Sequence, residues 1–365
     1  MGADHPGLGR ADGLMRINEE TMKTTIASIA LAAACAASSS FAQNVKITPI
    51  GSHPGELCAN DRATLFEDPT GVRILYDVGQ TVTGADDPRL GTVHAVLLSH
   101  IHGDHVGDQK LKATGAGTCA NSERVPAGAN SMTAEVAAAK NAALVMTSDM
   151  GSFLGQKVQN IRGKPVAPCA ETAGVTSVPV ASPCRSNTHL GGAFVARAGS
   201  ASQGVEITVV FASHANNVPL SMLSEAQRTS LGADGASIVI GPPTGYVVKF
   251  SNGLTVYLSG DTGIHTEMKT VVKEFHKANL AVLNLGPSAG TVMSGAYAMN
   301  ELVQPASVIL SHVNEAATEG GKLRPASRTA ALIKQLKSAK PYLAISGRTM
   351  EFDGQGRCVA GCSLD

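Results

Sequence analysis

The sequence predicts an α/β domain in which layered strands present functional side chains at their ends. Three observations carry that expectation: short apolar runs cut by Gly, Pro, Asp and Asn, helix-forming stretches alternating with them, and ligand-type residues just past several runs. The chain has 365 residues, 29 basic and 29 acidic side chains and 43% hydrophobic content, so it can bury a core and is not globally disordered. It has no Trp and only 4% aromatic residues, which argues against a stacking surface for single-stranded nucleic acid. Zero formal charge removes the basic balance that a nucleic-acid partner would need.

The amino-terminal stretch reads as an address. Residues 1–21 look like an upstream extension. Residues 22–42 have the form of a signal peptide: Met22, Lys23, an apolar run over 26–37, then small residues ending at Ala42. That run is too short for a stable membrane span, so residues 43–365 are expected as one exported domain, periplasmic or secreted. Cys35 would leave with the leader. Cys58, Cys119, Cys169, Cys184, Cys358 and Cys362 remain, an even number suited to disulfides, with Cys169 and Cys184, and Cys358 and Cys362, preferred as near neighbours.

From Val45 the runs VKITPIG, GVRILYDVG and VHAVLLSH each read as a strand ending in a turn. The stretch 93–98, near-continuously apolar apart from His94, suits a strand buried on both faces. Residues 131–140 begin with a Ser cap and continue with helix formers, and 143–146 follow as a strand. Between about 160 and 203 the composition turns to Gly, Ala, Ser, Pro and Thr with two cysteines, which reads as a Cys-containing surface insertion. Beyond it the pattern gives a strand over 205–212 and a hairpin of 245–250 with 254–258 around Ser251-Asn252-Gly253. Then come a helix over 267–277, a strand over 280–285, a helix over 295–302, a strand over 307–310 and a helix over 327–338.

The chemistry concentrates where the 93–98 strand runs into Ser99-His100-Ile101-His102-Gly103-Asp104-His105. Imidazoles and carboxylates at that density demand partners, and divalent cations supply them. His100 and His102 have the spacing to face one ion, while Asp104 and His105, after the Gly103 bend, can turn toward a second. Three later strands each deliver one more ligand-type residue at the carboxyl end: His214 in FASHANN, Asp261 in LSGDTG and His312 in LSHVN.

With these residues the chain resembles the metallo-β-lactamase-fold hydrolases over roughly 45–340. The resemblance implies a four-layer αβ/βα sandwich with the site along one edge. It implies that His100, His102 and His214 hold one metal, that Asp104, His105 and His312 hold the other, and that Asp261 bridges them. The segments around LSGDTG and LSHVN are similar to a narrower branch, the metal-dependent hydrolases related to ascorbate-6-phosphate lactonase. The chain departs from that branch in its Cys-containing insertion, its export signal and His94, where an acidic residue is more usual.

The function expected is hydrolysis of an ester, lactone or related bond in a small-molecule substrate by a metal-bound hydroxide, with Asp104 and Asp261 as catalytic carboxylates. Two zinc ions suit a site rich in imidazole, with manganese or iron as alternatives. A β-lactamase, a phosphodiesterase and a catalytically inert binding module are the competing readings. Against the first, true metallo-β-lactamases generally lack the bridging carboxylate at Asp261; a tRNA-processing nuclease is disfavoured by charge and export. Asp108 could orient a ligand, His94 could pack or support one, and Asn217 and Asn314 could donate to substrate. His53, His189, His265 and His276 read as turn, structural or surface groups.

Overall fold

In a computed structural model, the residues described are Met1, 43–286 and 291–362. The proposed extension 1–21 and the leader 22–42, including Cys35, lie outside them apart from Met1. The strands build two sheets of eight. The first runs in space β20 (Cys358–Ala360), β19 (Met350–Phe352), β1 (Val45–Pro49), β2 (Thr64–Glu67), β3 (Arg73–Tyr76), β4 (Ala95–Leu97), β7 (Ala143–Val145) and β9 (Cys184–Arg185). The second runs β18 (Lys340–Leu343), β15 (Ser307–Ser311), β14 (Leu280–Asn284), β13 (Thr255–Leu258), β12 (Thr244–Lys249), β11 (Val205–Phe211), β10 (Ala193–Ala198) and β8 (Thr176–Val178). Two small ribbons complete the set: β5 (Gln109–Leu111) with β6 (Arg124–Pro126), and β16 (Thr318–Glu319) with β17 (Lys322–Leu323).

Side-chain alternation explains the layering. In β3, β4 and β7 one set of residues, Ile74, Tyr76, Ala95, Leu97, Ala143 and Val145, joins the core shared with the second sheet. The intervening residues Leu75 and Val96 pack instead with Met132 and Val136, and Leu144 packs with Met150 and Leu154. Both faces of these strands are therefore buried, one by the opposite sheet and the other by the helices Met132–Lys140 and Ser148–Arg162. On the second sheet the pairs β13–β14, β14–β15 and β15–β18 are parallel and need crossovers. Met268–Phe275, Val292–Tyr297 continuing into Ala298–Val303, and Arg328–Gln335 supply them, packing Met268, Val272, Met299 and Leu332 onto the strands. The order of layers is helix, sheet, sheet, helix.

Most expected elements are present, often a residue or two shorter; the strand predicted over 93–98 is hydrogen-bonded as Ala95–Leu97. The helix over 131–140 starts where its cap predicted, with Ser131 accepting from the Ala134 amide. The helix over 267–277 is shorter and π-wound, with the carboxyl end of the next one wound likewise. Two longer helices were not foreseen, Ser148–Arg162 and Glu225–Asp234, nor was the single turn Gly103–Val106 that carries Asp104 and His105. The stretch 160–203 begins within the first of these and then contributes β8 and β9, an edge strand of each sheet, as well as β10. Cys169–Cys184 joins it internally, and Cys58–Cys119 and Cys358–Cys362 complete three disulfides.

Candidate metal centre

Five strand ends converge at one edge of the sandwich. His100 follows β4, His214 follows β11, Asp261 follows β13 and His312 follows β15, while Asp77 follows β3. The two sheets are tied together here, because the Tyr246 hydroxyl donates to the Leu98 carbonyl at 2.6 Å and the Thr244 amide donates to Ser99 O at 2.8 Å. Asp77, His312 and Asn314 all have left-handed backbones, with φ of 42°, 47° and 53°. Such conformations are disfavoured outside glycine and gather where tertiary structure fixes a functional loop. Gly286 faces the same corner: a Cβ there would lie 2.6 Å from the His312 ring, so only glycine leaves that imidazole its place.

The ligand-type atoms form interlocking sets. His100, His102 and His214 bring one nitrogen each within 4.8 Å of one another, as do the ligand atoms of Asp104, His105 and His312. His100 and His105 also form such a group with Asp261. Within the first set His100 Nε2 and His102 Nδ1 are 2.9 Å apart; within the second, His105 Nε2 and His312 Nε2 are 3.0 Å apart. Asp261 reaches both: its Oδ1 is 3.5 Å from His105 Nε2 and 3.3 Å from His312 Nε2, and its Oδ2 is 3.9 Å from His214 Nε2. Asp104 Oδ2 is 3.4 Å from His312 Nε2. All seven ligand residues expected from the sequence are thus brought together.

The protons on these rings are set from behind. His105 Nδ1 donates to Asp77 Oδ2 at 2.8 Å, leaving Nε2 as the nitrogen that faces the cluster. Ser99 Oγ donates to Asp77 Oδ2 at 2.8 Å and lies 3.0 Å from His100 Nδ1, so one carboxylate and one hydroxyl orient a ring in each set. Asn284 donates to Asp261 Oδ1 at 3.1 Å, and Asn216 accepts from the Ile101 amide at 2.7 Å, bracing the ligand loop. Arg62 holds Asp104 through Nε and Nη2, at 2.9 and 2.8 Å.

These donors fit a cation. His214 Nε2 and His312 Nδ1 are buried without a hydrogen-bond partner among the described residues. Burial holds His100 well below its ordinary pKa, with further lowering from His105, and it lowers His102 and His214 too, keeping these rings in the neutral form a metal requires. Burial opposes charge on His105 as well, but the carboxylates of Asp261, Asp104 and Asp77 raise it to about 10. Burial would raise Asp104 and Asp261, yet the surrounding imidazoles hold both well below the usual carboxylate range. Two ionised carboxylates thus stand among the neutral rings of His100, His102 and His214, and the proton drawn onto His105 carries the positive charge that a bound cation would replace.

The other sequence candidates lie outside this cluster. Asp108 accepts from Gln80 at 2.7 Å and Ser221 at 3.1 Å and orients no ligand histidine. His94 accepts from the Arg73 amide at 3.0 Å, and Asp77 occupies the supporting role for which an acidic residue was sought. Asn217 bonds Ser237, while Asn314 accepts from Arg62. His53 bonds Ser52 and, at 3.4 Å, Gly117 O, and His265 packs against the Phe211 ring. Asp77, Arg62, Asn216 and Asn284 were missed; only Asp77, an acid directly after an apolar run, carried a signal in the sequence.

Layers, strand order and ligand-bearing strand ends together are those of the metallo-β-lactamase fold. No protein-family model matches the chain. It is 32% identical over 97 residues to a UPF0173 metal-dependent hydrolase of Methanosarcina mazei, covering 27% of this chain and 41% of that one. The alignments to the first such relatives thus span about two fifths of their length. A UPF0173 metal-dependent hydrolase of Cupriavidus necator matches more widely, at 25% identity over 298 residues, 78% of this chain and 83% of its own. Among solved structures, Igni18, a metallo hydrolase from Ignicoccus hospitalis, is similar over 85% of this chain and 99% of its own, with a TM-score of 0.51 and 18% identity.

Proposed function

We propose that the chain is a metal-dependent hydrolase with two divalent cations, zinc by preference, one held by His100, His102 and His214 and the other by Asp104, His105 and His312, with Asp261 shared. The observation that carries this reading is the gathering of five imidazoles and the carboxylates of Asp104 and Asp261 into three overlapping ligand groups at one edge of the sandwich. Such cations, when bound, lower the pKa of water from about 15.7 toward neutrality and stabilise negative charge developing on the group attacked.

The protein's own groups prepare that chemistry. Asp77 and Ser99 fix the ring protons of His105 and His100, so their inward nitrogens remain free to coordinate. Arg62 keeps Asp104 ionised and aimed inward, and Asp104 is the more open carboxylate, with 34% of its side chain exposed against 3% for Asp261. Asp104 is accordingly the group that accepts a proton from the attacking water or orients it, and Asp261 holds the two sets together. The reaction proposed is hydrolysis of an ester, lactone or related carbonyl bond in a small molecule, as in the lactonase-like branch. Three disulfides support an oxidising, exported location, periplasmic or secreted, in keeping with the leader at 22–42. No helix among the described residues is long and apolar enough to cross a membrane.

The test is metal content with turnover. The purified protein is expected to hold two equivalents of metal and to hydrolyse lactones or aryl esters faster than nitrocefin or bis(4-nitrophenyl) phosphate. Absence of stoichiometric metal, together with His102→Ala turnover equal to wild type, would refute the proposal; preference for nitrocefin or the phosphodiester would move the reaction class only.

A further inference from the structure

Two arginines lie in electrostatic reach of Asp104 and of each other, and they are used differently. Arg62, with only 4% of its side chain exposed, is fully engaged: Asp104 Oδ2 takes Nε and Nη2, Asn314 Oδ1 takes Nη2 at 2.7 Å and Ala59 O takes Nη1 at 3.1 Å. Arg124 opens β6, paired through Leu111 with β5, the strand that leaves the metal-binding loop. Its Nη1 donates only to neutral amide oxygens, that of Gln80 and, at 3.5 Å, that of Asn60. Among the described residues no carboxylate lies within ion-pair distance of Arg124. Burial and the like charge of Arg62 both lower its pKa, with Asp108 and Asp104 opposing.

Like charges do not gather without cause. Here a covalent clamp holds them: Cys58–Cys119 joins the turn that carries Arg62 to the loop that leads into Arg124, and the Ala59 amide donates to Cys119 O at 3.0 Å beside it. Asp104 cannot neutralise both guanidiniums, because Arg62 and the His105 and His312 nitrogens already surround it. A half-buried guanidinium fork with neutral partners and a cationic neighbour is suited to an oxyanion arriving from solvent.

We infer that Arg124, beside Arg62, binds an oxyanion on the substrate, so the preferred substrates carry a carboxylate or a phosphate in addition to the bond that is cleaved. This rests on the hydrolase reading for the cleaved bond, while the anion site stands on its own contacts. Arg124 is thereby a specificity-determining residue, and Cys58–Cys119 is the strut that places it.

The experiment has two arms. Calorimetric binding of succinate and of inorganic phosphate to the purified protein, with its metal and after chelation, is expected to show uptake of at least one anion in both states. Arg124→Gln should weaken that binding tenfold or more and Arg124→Lys should restore part of it; the tighter of the two anions identifies carboxylate or phosphate as the group recognised. No binding by the wild type, or equal binding by Arg124→Gln, overturns the proposal. In the second arm, kcat/KM for mono-4-nitrophenyl succinate relative to 4-nitrophenyl acetate should fall at least tenfold in Arg124→Gln, through KM; an unchanged ratio in an active, metal-loaded variant also overturns it. Hydrolysis of neither ester by the wild type would sink the hydrolase reading instead, and the binding arm would still decide the role of Arg124.

Discussion

Two buried carboxylate clusters lie in this molecule, and they are finished differently. Asp87 receives five hydrogen bonds, from the amide and hydroxyl of Thr83 and from the amide, Nε and Nη2 of Arg89. Arg89 in turn donates to Gly51 O and Thr81 O, so cation and anion are both satisfied within the fold. Asp261 meets His105 Nε2, whose other ring nitrogen bonds Asp77 on the far side, and Asp104 meets His312 Nε2. One cluster is a single carboxylate closed by its own arginine; the other, with Arg62 on Asp104, also gathers seven ligand-type side chains around two carboxylates. A buried polar network that is complete is structural, and one that is incomplete by design marks the site of chemistry.

The largest expected break of this contrast is His105→Ala. It should remove the second ligand set and lower turnover by about a thousandfold while the far-ultraviolet circular dichroism stays native, a loss typical of removing a group that acts only as part of an assembled centre. Asp87→Ala should do the reverse, costing roughly 3 kcal/mol in urea unfolding by stranding the Arg89 charge, with metal content unchanged. Asp77→Asn sits between the two. The rings remain but their tautomers loosen, and metal affinity should drop about 10–100-fold by competition with a chelator.

The smallest expected effect is on pH dependence. Burial raises the Asp87 pKa, but the Arg89 guanidinium and the Thr83 and Arg89 amides more than offset this and bring it down to about 2. A carboxyl lowered on folding contributes stability that is full above its unfolded value near 4 and fades as pH falls toward 2. Acid unfolding of wild type and Asp87→Asn should therefore converge across that window; a gap that persists at pH 2 would show that the pair acts by packing rather than charge.

What the sequence made legible follows from which residues announce themselves. Histidines and aspartates crowded at strand ends are hard to place otherwise, so His100, His102, Asp104, His105, His214, Asp261 and His312 could be read directly and do meet at one edge. Their supports could not. Arg62 and Asn216 act from distant loops and Asn284 from the end of β14, through polar side chains that nothing local sets apart. The two missed helices were hidden for opposite reasons. Ser148–Arg162 buries Gly151 and Gly155 beside Met150, Leu154 and Val158, so part of its inner face is glycine packed close to Arg185 and Val166, and the apolar period is blurred. Glu225–Asp234 fully buries no residue, packs only Leu231 partly against the core, and starts at a capping box in which Ser224 and Gln227 exchange bonds. The stretch 160–203 read as an insertion because two of its three strands, β8 and β9, are short and lie at sheet edges, where alternation is weakest.

The central claim is that the cluster around Asp261 is incomplete without cations. Titration of zinc into the chelated protein tests it most directly. Two equivalents should bind to wild type and to Asp87→Ala, and the first ligand set should lose its equivalent in His102→Ala. Failure of the wild-type protein to bind stoichiometric zinc, manganese or iron would contradict the account.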